Sequence, residues 1–272
     1  MVNPLTDFIW LGPDKVGKEK FDTVARLFLA LADGLRSLDE FYSKVKISSQ
    51  DGWRDCFFPH VRSYPGPSGT VLFKYISPLL PDQKAKALFL GKTSSGQTIV
   101  VKFTSRYNAT AHRLVAKSNL APQLLYISPN SDAQKLSCPI MVVMEFLEGN
   151  TVEETFSVTT RHQRSHPDHR SLFRTICEDV KEAVQILHNA GLAFGDLRAP
   201  NIMIVGGRAK LVDFDWCGED GQQRYPREIN LDGTIDWHKG VKPGGVMTKD
   251  HDNWMARQLF HTLQPEIEME GE

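Results

Sequence analysis

No stretch of about 18 apolar residues occurs in this 272-residue chain, so an ordinary membrane-spanning helix is excluded. Neither charge sign is in excess: 32 Lys and Arg face 33 Asp and Glu, a net charge of −1. A nucleic-acid or anionic-membrane partner is therefore not expected. Cysteine is scarce. Cys56, Cys138, Cys177 and Cys217 are scattered without a CxxC pair, which speaks against a zinc site or a disulfide framework. The opening "MVNPLTDFIWLGPDK" lacks a basic stretch before an apolar core, so no signal peptide and a cytoplasmic location are expected. Internal repeats are absent. Two local absences bear on function: no glycine lies between Ile76 and Leu90, and no Asp or Glu between Phe103 and Asn130.

What is present suggests an order of elements. Phe21, Val24, Phe28, Leu31, Leu35, Leu38, Tyr42 and Val45 recur at steps of three or four, which predicts an amphipathic helix over 14–46 with Gly34 as its weak point. Residues 52–70 are rich in Pro, Gly and aromatics and read as a connector. "VLFKYI" suits a strand, and "KALFLGKTSSGQTIVVKFT" a hairpin. A short helix over "NATAHRLVAKSNL" should stop before Ala121-Pro122. "QLLYIS" and "PIMVVMEFLEG" suit two further strands. A strong helix is expected at 171–189, then a hairpin from "NIMIV" and "AKLVDF", a long loop over 216–249, and a last helix at "DNWMARQLFHTL". His162, His166 and His169 have a metal-like spacing, but Pro167 breaks their register, so a solvated insertion is the expectation.

The chemistry concentrates late in the chain. In "AFGDLRAPNIMI", Asp196 and Asn201 stand five apart; after a hairpin, "LVDFDW" brings Asp213 and Asp215. That Asp-to-Asn spacing alone is a weak signal, met also in Asx-rich turns. The preceding helix, the hairpin and Asp213 strengthen it. Upstream, "IVVKF" places Lys102 on a strand, and "VVMEFLEG" ends a strand at a glycine. Downstream, "DNW" puts Asp252 at a helix start.

These segments, over about residues 71–265, resemble the protein-kinase-like superfamily, and most of all fungal kinase-like proteins carrying GDLR-x-PNI and DFDW. The resemblance implies an α+β, two-lobed kinase-like fold: a small antiparallel-sheet N-lobe at 71–148 and a short, mainly helical C-lobe at 149–272. Residues 1–70 would form a helical N-terminal extension and connector. It further implies ATP and Mg²⁺ in the cleft. Asp196 would orient the attacking hydroxyl, with Arg198 offsetting charge on the moving phosphoryl group; an ordinary carboxylate contact is the alternative for Arg198. Lys102 would pair the phosphates. Met144 would be the gatekeeper, and the Glu145 carbonyl and Leu147 amide would face adenine. Asn201 and Asp213 would hold metal. Asp215 would either add a metal ligand or cap a turn. Asp252 would anchor the catalytic-loop backbone.

The pattern also departs from that superfamily. No glycine-rich loop precedes Lys102, and the next helix offers no Glu to pair with it. Phe194-Gly195 stands where His-Arg is usual, which removes the receiver for an activation-loop phosphate. Gly195 and Asp215 are familiar from kinases of small molecules. The expected function is phosphoryl transfer from ATP to a hydroxyl, on protein Ser, Thr or Tyr. A pseudokinase or scaffold, and a choline- or aminoglycoside-kinase-like enzyme, are the alternatives.

Overall fold

The computed structural model describes residues 18–44, 58–81, 86–129, 139–157 and 167–264. It divides into two units, Met1–Val61 and Arg62–Glu272. The first contains helix α1 (Lys18–Lys44), which runs through Gly34 without a break. One exposed helical glycine costs only about 1 kcal/mol, too little to stop a helix of 27 residues.

The second unit opens with a six-stranded antiparallel sheet in the order β1-β2-β3-β4-β6-β5. The strands are β1 (Ser63–Gly66), β2 (Gly69–Pro78), β3 (Ala87–Thr93), β4 (Thr98–Thr104), β5 (Leu124–Ile127) and β6 (Ile140–Glu145). Part of the expected connector is therefore sheet. Ser63–Gly66 pairs with β2 because Tyr64 is buried and stacks on Tyr126 at 5.8 Å. Pro65 is tolerated there because β1 is an edge strand. The β3–β4 hairpin forms as its Ser-Ser-Gly turn implies. On β6, Ile140, Val142 and Met144 pack into one cluster and Met141 and Val143 into another, the two-residue period of a strand buried on both faces.

Helix α2 (Ala109–Lys117) lies between β4 and β5 in sequence. Its N-cap Asn108 accepts the Ala111 amide at 2.9 Å. Its buried face, Ala111, Val115 and Ala116, joins the core of the helical lobe. That lobe is built from β7 (Asn150–Thr151), α3 (Val152–Ser157), α4 (Pro167–Asn189), β8 (Leu192–Ala193), β9 (Ile202–Val205), β10 (Arg208–Leu211), β11 (Gly218–Glu219) and α5 (Lys249–Leu263). Ile176, Val180, Val184 and Leu187 line α4 at helical spacing and meet Leu197, Ile202, Leu211 and Leu259 in one cluster. The buried Asp179 on α4 accepts Arg208 and the Ala209 amide, which fixes the β9–β10 hairpin on the helix.

Gly149 closes the passage between the lobes. A Cβ there would lie 2.0 Å from the Ile204 carbonyl oxygen, so only glycine fits. The stretch expected as a loop at 216–249 is largely irregular. It contributes β11, which pairs with β8, and it buries Tyr225, Ile229, Val241 and Met247 as a small core of its own. Arg161, Arg164, His162 and His166 fall outside the described residues; His169 and Arg170 lie at the start of α4. No described helix is long and apolar enough to cross a membrane.

Candidate active site

Three elements converge on the segment 194–201. The 3-10 turn Ala199–Asn201, with Pro200 inside it, brings Asn201 back to Asp196. The Asn201 Nδ2 donates to the Asp196 carboxylate at 2.8 Å and to its carbonyl at 2.9 Å. The Asn201 amide oxygen is not engaged by those two bonds. Arg198 grips the same carboxylate with Nε and Nη2 and lies over the Trp237 ring at 5.5 Å. Burial pushes the Asp196 carboxyl up, against the opposing pull of Arg198.

Asp252, at the start of α5, accepts the Phe194 and Gly195 amides at 2.7 Å each, and His188 Nε2 lies 3.0 Å away. The backbone entering Asp196 is thus held by a carboxylate that is 1% exposed. Phe194 is fully buried and meets Phe214 edge-on at 5.4 Å. Gly195 has φ +80°, and a Cβ there would approach Met247 Cε to 1.9 Å. No side chain fits at this position without displacing Met247. Gly195→Ala is expected to destabilise the fold by about 1–3 kcal/mol through backbone strain and overpacking, measurable by thermal unfolding.

Lys102 projects from β4 between two carboxylates. Its Nζ lies 2.7 Å from both Asp213 Oδ1 and Asp215 Oδ1. Thr104 Oγ1 lies 2.9 Å from Asp215 Oδ2. Both Asp215 oxygens are therefore engaged, one by Lys102 and one by Thr104. Asp213 has φ +70°, while Phe214 between the two acids is fully buried. Burial alone would lower the Lys102 pKa, but the two carboxylates raise it above its ordinary value. Burial likewise opposes ionisation of Asp213, yet Lys102 draws its carboxyl below the usual range. Asp215 is pushed up to about 6, first by burial and then by the Asp213 charge.

Helix α2 reaches this centre without an acidic side chain. His112, fully buried, stacks on Phe214 with ring centroids 4.7 Å apart. Its ring nitrogens lie 2.7 Å from the Tyr107 hydroxyl and from the Pro122 carbonyl. A carbonyl only accepts, so Nε2 donates to Pro122 and Nδ1 accepts from Tyr107. Burial pushes this imidazole down to about 4. Since unfolded His titrates near 6.5, the stabilising contribution is fully present above pH 6.5 and is lost as pH falls toward 4. The expected loss is about 3 kcal/mol from this group. Urea unfolding at pH 7 and pH 4.5 should show that acid loss in the wild type and a smaller one in His112→Gln.

On the other side of the cleft, Met144 is buried on β6 opposite Val100 and Leu124. Glu145 ends β6, and its carboxylate accepts the Gln123 amide at 3.0 Å. Leu147 is buried beyond it. Lys86, just before β3, brings its ammonium to 3.9 Å from Asp213 Oδ2. Lys86 and Thr104 join this centre from distant positions, and the only local signal for either is a lysine in a glycine-free connection. Among the described residues no three His, Cys, Asp or Glu side chains converge as a ready metal site. Asn201 and Asp213 instead offer hard oxygen donors of the kind that suits Mg²⁺ shared with phosphate oxygens.

Comparison with known proteins agrees with this geometry. No family model matches the chain. It is 31% identical to serine/threonine-protein kinase PAK 5 of Rattus norvegicus over 99 residues, 36% of this chain and 13% of that protein. It is 26% identical to the KEOPS complex subunit Bud32 of Pyrococcus abyssi over 133 residues, 49% of this chain and 52% of that one. The chain thus spans about an eighth of the first relative and about half of the second. Among solved structures, the Cydia pomonella granulovirus kinase PK-1 superposes with a TM-score of 0.51 at 11% identity, covering 70% of this chain and 67% of that one. The α+β fold is two-lobed and protein-kinase-like, and the chain is kinase-like at the level of the superfamily.

Proposed function

We propose that the chain is an ATP-dependent phosphotransferase that moves the γ-phosphate to a hydroxyl, on a protein Ser, Thr or Tyr. One observation carries this reading. Asp196, Asn201 and Asp213 are joined in a single polar centre, with Asn201 bonded to the Asp196 carboxylate and its carbonyl accepting the Val212 amide at 2.9 Å beside Asp213. Asp196 would orient the acceptor hydroxyl and receive its proton. Lys102 and Arg198 would meet the phosphate oxygens, and Lys86 supplies a further cation where backbone amides of a glycine loop are lacking. Met144, the Glu145 carbonyl and the Leu147 amide would border the adenine. Asn201 and Asp213 would hold Mg²⁺, which when bound neutralises charge on the phosphates. Kinship with the fungal proteins carrying GDLR-x-PNI and DFDW belongs to the same reading.

A nucleotide-binding module without transfer is the second reading. It is favoured by the closed state of Asp196, whose two carboxylate oxygens are taken by Arg198 and Asn201. Thermal denaturation with ATP and Mg²⁺ tests the shared premise, because a ligand of the folded state raises its stability. No shift at millimolar ATP would end both readings. Single-turnover ATP consumption then separates them, since only the enzyme loses it on substitution of Asp196. Small-molecule alcohols offered beside peptide acceptors decide the acceptor class, for which Gly195 and Asp215 keep the small-molecule alternative in play.

A further inference from the structure

The absence of an acid on α2 leaves a task undone. In protein kinases a helix-borne Glu holds the strand lysine toward the phosphates. Here α2 reads "ATAHRLVAK" and carries no carboxylate. It is fixed by uncharged contacts instead. His112 stacks on Phe214, the Asn108 amide donates to the Phe214 carbonyl at 3.2 Å, and Asn108 Nδ2 donates to the Cys217 carbonyl at 3.2 Å. All three tie the helix to the segment that follows Asp213.

That same segment supplies the missing charge. Lys102 Nζ stands 2.7 Å from both Asp213 and Asp215, with its side chain 12% exposed and the Tyr107 ring 5.8 Å away. Two carboxylates for one ammonium is one more than the lysine needs. Thr104 holds the second Asp215 oxygen from the strand that carries Lys102, so this acid is tied to the lysine side of the cleft. Asp213 receives no hydrogen bond from Thr104, and its other oxygen lies 3.9 Å from the exposed Lys86.

We propose that Asp215 is the positioning residue of the nucleotide site: it holds Lys102 toward the phosphates and so releases Asp213 to the metal. The inference rests on the phosphotransferase reading and gives that site an organisation independent of any movement of α2. Lysine and partner are carried by β4 and by the segment beside the catalytic loop, so the site is assembled before ligand arrives.

The decisive measurement is acetylation of Lys102 by an N-hydroxysuccinimide ester on the ligand-free full chain, followed by peptide mass spectrometry with exposed Lys92 as internal reference. Only the neutral amine reacts, and the Asp215 carboxylate 2.7 Å from Lys102 Nζ holds the ammonium form, so Asp215→Asn should speed Lys102 modification by about tenfold. Asp215→Glu should restore protection. Thr104→Val, which loosens Asp215 without touching it, should speed modification by a smaller factor and serves if Asp215→Asn fails to fold. Unchanged Lys102 rates in Asp215→Asn, or in Thr104→Val if it must stand in, would overturn the proposal. Calorimetric ATP titrations add the functional arm. Asp215→Asn should weaken ATP by about tenfold with and without Mg²⁺, whereas Asp213→Asn should lose only the Mg²⁺-dependent gain. If Asp215→Asn loses only that gain, Asp215 is a metal ligand and the proposal falls. A wild type that binds no ATP refutes the phosphotransferase reading, while the acetylation rates still judge Asp215.

Discussion

Asp196→Asn should lower single-turnover phosphoryl transfer by about 10²- to 10⁴-fold while leaving ATP affinity undiminished. The substitution keeps shape and removes the acceptor of the hydroxyl proton. The side chain stands 2.8 Å from Asn201, with Arg198 on the same carboxylate, and the substitution leaves both neighbours in place. Its carboxyl is pushed up by burial, which makes it a better proton acceptor once ionised. Binding should persist because Lys102, Asp213 and the strand β6 are untouched. Rapid-quench assays with radiolabelled ATP measure the transfer, and calorimetry the affinity. Equal, measurable transfer in Asp196→Asn and wild type would remove Asp196 from the chemistry, whereas no transfer in either would favour a binding module.

Asp252→Ala should cost about 3–5 kcal/mol of stability and lower the melting temperature on the order of 10 °C. It strands two buried amides, Phe194 and Gly195, that have this carboxylate as their acceptor at 2.7 Å. His188 loses its partner as well. Asp252→Asn keeps an acceptor of the same shape and should recover part of the loss. Calorimetric unfolding of the three proteins checks the order wild type, Asn, Ala. Because the stranded amides precede Asp196 directly, the Ala variant should also lose transfer activity at temperatures where it remains folded.

How much of the site could be seen beforehand follows from sequence distance. Asp196, Asn201 and the hairpin to Asp213 are neighbours in the chain, so their spacing together with the preceding helix made a candidate centre legible. Helix α4 announced itself by period and strand β6 by its continuous apolar run. Ser63–Gly66 did not, because its membership of the sheet depends on Tyr64 meeting Tyr126, a contact across more than half the N-lobe sequence. The partner of Lys102 was hidden for the same reason: 113 residues separate it from Asp215. The sequence showed only that α2 lacks an acid, which left the lysine with no visible partner.

Gly195 makes the division sharpest. The residues alone determined that a glycine, with no cation to offer, stands directly before Asp196. Only the tertiary structure supplied the cause, a left-handed backbone packed against Met247, which lies 52 positions away and is fully buried. Asp215 divides in the same way. Its place two after Asp213 was written in "DFDW", but its contacts with Lys102 and Thr104 were set by packing. Burying Phe214 against His112 and Phe194 turns the flanking carboxylates toward Lys102, and a buried ammonium needs a charge partner more than the solvent-facing alternatives need a turn cap. Local spacing thus specified which chemical groups this protein holds. Long-range burial, which forces every desolvated charge to find a partner, specified which of them meet.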